Sequence, residues 1–230
     1  MTDARSAAAT LRWHVLVATA AIIATVVIVM RGQDIDNIVA TQGPAEYYRM
    51  HPAHLWPTSL LWLAIAGQLA QLRRRLPGMG PGFAISAGFA ILVACAALGA
   101  ELGSWTMVRT HAPGDDDPLH IAEAALIAGA AGWLFAVTHA MSRAAARLAA
   151  TQQLPIARQR RRALRLGNAL RLTPWGYVVA GFIAVFVEPL GGLAAVAGCV
   201  VWSLGAELVL ASMLAASREL PGAAVVPARG

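Results

Sequence analysis

Residues 76–100 read LPGMGPGFAISAGFAILVACAALGA, twenty-five consecutive positions between Arg75 and Glu101 without a formal charge. A helix needs about 20 mostly apolar residues to cross roughly 30 Å of hydrocarbon, and this run is long enough to do so. Working outward, the pattern recurs between Arg12 and Arg31, Arg49 and Arg73, Glu123 and Arg143, and Arg171 and Glu188. It recurs once more from Pro189 to about Leu214, interrupted by Glu207. The last two runs are parted by Glu188-Pro189-Leu190-Gly191-Gly192, whose proline and paired glycines read as the turn of a helical hairpin. The expected fold is all-α, a polytopic membrane bundle of about six transmembrane helices at 12–30, 55–72, 82–104, 120–142, 172–188 and 190–214. These form one transmembrane domain over 1–218, followed by a C-terminal tail at 219–230.

Composition supports this over any soluble class. The 230 residues are 58% apolar and 13% charged, and mean hydropathy is +0.60; soluble and disordered chains both carry far more charge. All 18 basic residues are arginine. A catalytic lysine is therefore excluded, and with it a Schiff-base retinal or pyridoxal site. The first apolar run is long for the core of a signal peptide and ends in Val29-Met30-Arg31 without a small-residue cleavage site, so it reads as an anchor.

Arginine placement sets the expected orientation. Assigning alternate connections to the cytoplasm puts 15 of 18 arginines on that side, with Asp34, Asp36, Glu46 and Asp115 to Asp117 on the other. Both termini are then cytoplasmic. The long connection 143–171 carries Arg158, Arg160, Arg161, Arg162 and Arg165 among Leu164, Leu166 and Leu170, the composition of a basic helix lying on anionic lipid. No feature points to nucleic acid. Gly99 with Gly103, Gly129 with Gly132, and Gly198 with Gly205 are expected to let helices approach closely. Cys95 and Cys199 fall mid-span as small core residues, outside any disulfide or metal pattern.

Polar groups inside a membrane are costly and are usually retained for function. Sorted by the expected topology, His51, His54, Glu101, His111, His120, Glu123 and Glu188 gather at the outer face. His120 and Glu123, spaced i, i+3, share one helical face, and imidazoles with carboxylates suit copper, iron or zinc. His14 and His139 lie toward the inner side, where facing histidines could hold haem b or a quinone. Glu207 stands well inside the last span, where a carboxylate must be neutralised or paired and could relay protons.

The stretch Ser104-Trp105, Val108-Arg109, Pro118-Leu119-His120 and Glu123 resembles part of the copper-dependent membrane monooxygenases, the methane- and ammonia-oxidising enzymes. The similarity is to the outer loop and following helix of the membrane subunit that holds a copper ion between two of its spans. Asp36 and Pro44-Ala45-Glu46-Tyr47-Tyr48-Arg49-Met50 are similar to the same subunit's entry into its second helix. The resemblance implies a subunit of the bacterial cytoplasmic membrane, working in a hetero-oligomer with other membrane subunits. Such an assembly binds copper and hydroxylates a small apolar substrate or ammonia with dioxygen. In that family an Asp-x-x-x-His pair and a histidine of the next helix hold the metal. Here only His120 matches; Leu102 and Thr106 stand in the other two places, and two further family histidines near 188–192 are absent. Glu101, His111 and Glu123 are the nearby residues able to substitute as ligands beside His120. Three functions follow as expectations: a copper monooxygenase subunit, catalytic or purely structural; a haem b or quinone anchor using His14 and His139; and a transporter or assembly factor using Glu207.

Overall fold

The computed structural model describes residues 2–42, 56–76, 81–110, 117–150, 157–187 and 189–217. Every element among them is a helix: α1 (Thr2–Gln42), α2 (Trp56–Arg75), α3 (Gly82–Thr110), α4 (Asp117–Ala150), α5 (Ala157–Phe186) and α6 (Pro189–Ala216). The boundaries follow local chemistry. Pro57, Pro118 and Pro189 each sit in a first turn, where the missing N–H costs nothing. Arg73, Arg74 and Arg75 close α2 against the negative end of its dipole, just before Pro77. The carbonyl of Pro81 accepts from Ile85 N–H at 2.9 Å and starts α3.

Four of the six helices contain stretches long and apolar enough to cross a membrane: Ala4–Val27, Gly82–Gly103, Ala124–Ala150 and Leu190–Ala216. In α2 the apolar stretch is diluted by Gln68, Gln71 and the terminal arginines, and in α5 it is confined to the half after Arg171. Helix boundaries also differ from the charge-bounded runs. The first helix begins ten residues before Arg12 and is 41 residues long, about 60 Å at 1.5 Å per residue. Arg12 lies on its exposed side. The basic connection expected at 143–171 is instead the end of α4, through Ala150, and the start of α5, from Ala157. A formal charge limits an apolar run without ending a helix, because an arginine stem extends along the helix and keeps its head in water.

The described residues group into two compact units. One comprises Met1–Val15, Gln68–Ser86 and Leu134–Gly230, and the other Leu16–Gly67 and Ala87–Trp133. In the first unit α5 packs against α6. Trp202 Nε1 donates to Thr173 Oγ1 at 3.1 Å, and a Cβ on Gly192 would overlap the backbone of Ala184. Glycine is therefore required where the hairpin closes. Ser142 Oγ of α4 donates to the carbonyl of Gly167 on α5 at 2.7 Å. Arg75 Nη1 donates to Ser6 O at 3.0 Å and to Thr10 Oγ1, joining the end of α2 to the start of α1.

The second unit is built around Trp62, fully buried. Its indole N–H donates to Thr25 Oγ1 at 2.9 Å, and its ring meets Trp133 edge to face at 5.3 Å. Gly129 and Gly132 lie against Val93 and Phe89 as the small-residue pattern predicts, whereas Gly99, Gly198 and Gly205 have nothing within 4 Å of a Cβ position. Cys95 is exposed and Cys199 only half-buried, so neither is the core residue expected. Large apolar side chains such as Leu16, Ile23, Leu98, Phe182, Leu193 and Val201 point outward. Water penalises such a surface and lipid does not.

Candidate functional site

Ala7, Leu11, His14, Ala18, Ala21 and Thr25 are all buried and are spaced four, three, four, three, four along α1. This is the seam of a helix that packs against neighbours along its length. On α6 the buried positions Ser203, Glu207, Leu210 and Leu214 repeat the same spacing. Each seam thus carries one ionisable group in an otherwise apolar or small-residue row. Within the first unit the two meet: His14 Nε2 lies 3.8 Å from Glu207 Oε2, with the side chains 0% and 2% exposed.

That distance lies within ion-pair range and beyond a hydrogen bond. Glu207 Oε2 accepts no hydrogen bond from the described residues, and His14 is the ionisable side chain that approaches it. Gln68 of α2 is the polar side chain beside the imidazole. One turn back from Glu207, Ser203 Oγ is 2.7 Å from Tyr177 Oη of α5. The same hydroxyl donates to the carbonyl of Cys199 at 3.0 Å, and Thr138 of α4 stands next to it. Five helices therefore supply a polar row running from Gln68 through His14, Glu207 and Ser203 to Tyr177 and Thr138.

Burying one charge alone costs several kcal/mol, and an acid facing an imidazole avoids this by sharing protons. With one proton between them the two groups are either both neutral or an ion pair, and switching states moves the proton by a few ångströms. The hydroxyls of Ser203 and Tyr177 both donate and accept, the property required to pass a proton on.

The other expected site residues are distributed differently. Glu101 is half-exposed on α3. His120 and Glu123 lie in the opening turns of α4 as their spacing requires, but their side chains, and His111, His51, His54 and Glu188 entirely, lie outside the described residues. Among the described residues no three of His, Cys, Asp and Glu come together as a metal-binding group. His139 lies on the exposed side of α4 while His14 is interior, so the two are not gathered into one haem or quinone site. Glu207 emerges from the sequence as an isolated intramembrane acid. Its partner, and the roles of Gln68, Tyr177 and Ser203, do not, although the seam spacing of His14 was available as a signal. Comparison with protein-family models, curated proteins and solved structures finds no match to this chain.

Proposed function

We propose that this chain is an integral protein of the bacterial cytoplasmic membrane, both termini inside, that takes up and releases a proton at the His14–Glu207 pair as the coupling site of a transport protein. The observation that carries this reading is the 3.8 Å approach of two fully interior ionisable side chains on separate helices. Apolar residues at both seam positions would avoid the desolvation cost, which favours a functional role for the pair. The arginine bias places both residues toward the cytoplasmic half, His14 two positions after Arg12 and Glu207 eleven before Arg218. The test is infrared difference spectroscopy on the protein in lipid vesicles after a pH jump. Wild type is expected to show a carboxyl band that Glu207→Gln removes and His14→Gln shifts. A spectrum unchanged by Glu207→Gln overturns the reading.

A second reading is the copper-binding subunit of a membrane monooxygenase hetero-oligomer. It is favoured by the placement of His120 and Glu123 on one helix, three residues apart, at the start of α4. Glu101 and His111 are the remaining ligand candidates. Stoichiometric copper in the wild-type assembly that disappears in His120→Ala supports it. An assembly without copper removes it.

A further inference from the structure

The first half of α5 presents a row of arginines that the proton site does not use. Arg158, Arg161, Arg162 and Arg165 are all exposed and line one open cleft of about 350 Å³. Their spacing, i, i+3, i+4, i+7, stacks four guanidinium groups on one face over roughly 10 Å of helix. Ala163, Leu166, Gly167 and Leu170 are buried on another face of the same helix, which fixes the direction in which the arginines point. None of the four has a carboxylate partner among the described residues.

The residues farther along the helix identify the ligand. Seven-residue steps stay on nearly one face of an α-helix. From Arg158 they lead to Arg165, Leu172, Val179 and Phe186, and from Arg161 to Asn168, Trp175 and Phe182. Every one of these residues is exposed, Leu172 at 68%, Trp175 at 66% and Phe186 at 72%. A single surface therefore changes from guanidinium to bare hydrocarbon within about two turns, roughly 10 Å. That is on the scale of the distance between the phosphate level and the acyl chains of a bilayer. Soluble phosphates and nucleic acids match the arginines and leave the apolar rows uncovered; a phospholipid matches both.

We propose that this face of α5 is a binding site for an anionic phospholipid, its phosphate held by Arg158, Arg161, Arg162 and Arg165 and its acyl chains laid along Leu172, Trp175, Val179 and Phe182. Planar guanidinium groups take phosphate oxygens in pairs, so four of them are matched better by a headgroup with two phosphates than by one. Diphosphatidylglycerol is accordingly bound in preference to phosphatidylglycerol, and both in preference to phosphatidylcholine.

The test is native mass spectrometry of the full chain in detergent, delipidated and then supplied with each of the three lipids. It compares wild type, the R158Q/R161Q/R162Q/R165Q variant and the charge-matched R5Q/R12Q/R73Q/R74Q variant, whose four arginines are also exposed. Wild type and the charge-matched variant are expected to retain diphosphatidylglycerol at least about tenfold over phosphatidylcholine, and the α5 variant to lose that preference, as counter-ion pairing by specific groups requires. Equal losses in both variants would show general charge attraction and overturn the site. Displacement of the lipid by millimolar inorganic phosphate would overturn the lipid in favour of a soluble anion. Equal retention of the one- and two-phosphate lipids would overturn the two-phosphate preference.

Discussion

Replacing His14 and Glu207 by leucine, singly and together, measures whether the buried pair acts as a unit. When the proton sits on His14, the pair at 3.8 Å carries two unit charges, which attract by about 4 kcal/mol for an effective dielectric constant near 20. Much of that attraction is offset by removing both groups from water. Breaking such a pair from one side strands the survivor, with an expected loss of about 3–5 kcal/mol for either single variant. The double variant H14L/E207L leaves no ionisable group in either seam, the new leucines lying between Leu11 and Ala18 on one helix and between Ser203 and Leu210 on the other. It is expected to lie within about 2 kcal/mol of wild type, because a hydrophobic replacement of similar volume is close to neutral. The coupling energy is then about 4 kcal/mol or more. Reversible unfolding in mixed detergent micelles, followed by circular dichroism, supplies the four free energies of the cycle. Single effects that add in the double variant to within about 0.5 kcal/mol would show that the two side chains do not interact, and the reasoning about the site would fail with them.

Arg75→Met removes the donor that reaches Ser6 O and Thr10 Oγ1, and a loss of about 1.5–3 kcal/mol is expected in the same unfolding assay; an unchanged midpoint would refute the link between α1 and α2. Gly192→Val drives a side chain into the backbone of Ala184 and is expected to cost about 3 kcal/mol or to prevent folding, at the upper end of overpacking penalties. Gly198→Ala, which meets nothing, gains up to about 1 kcal/mol of helix propensity; equal thermal stability of these two variants would contradict the hairpin packing. Tyr177→Phe loses hydrogen bonds to Ser203 Oγ and Cys199 O at a cost of about 1 kcal/mol. It is also expected to slow proton uptake at Glu207 after a pH jump several-fold, and an unaltered rate would remove Tyr177 from the relay.

Much of the helical layout was legible in the residues. The break between α5 and α6 falls at the start of the expected Glu188 to Gly192 turn, with α6 beginning at Pro189 where its apolar run begins, whereas α4 begins at Asp117, six residues before the run bounded by Glu123. Helix ends do not coincide with arginines: charge-free runs start at Arg12 and stop at Arg143, while α1 and α4 continue past both. The rotation of each helix was less legible. The mid-span position of Cys95 predicts a core residue, but it faces outward. Gly198 and Gly205 line no helix contact. His14 and His139 both fall toward the inner side in the sequence, yet the neighbour of His14 across the seam is Glu207. Depth along a span follows from counting residues; the direction a side chain faces depends on which helices surround it.

The sequence by itself determined that the chain is helical, that it carries apolar runs able to cross a membrane, that its arginines are distributed asymmetrically, and that Glu207 stands alone within such a run. These properties follow residue by residue from the rule that backbone groups in hydrocarbon must bond within their own segment and that charge there is costly. Only the tertiary structure decided that His14 approaches Glu207, that Ser203 and Tyr177 extend the row, and that the face carrying four arginines of α5 is exposed. Those facts depend on how far each helix is turned about its axis and slid against its neighbours. Packing between side chains distant in sequence sets both quantities, and composition and periodicity within one segment leave them open.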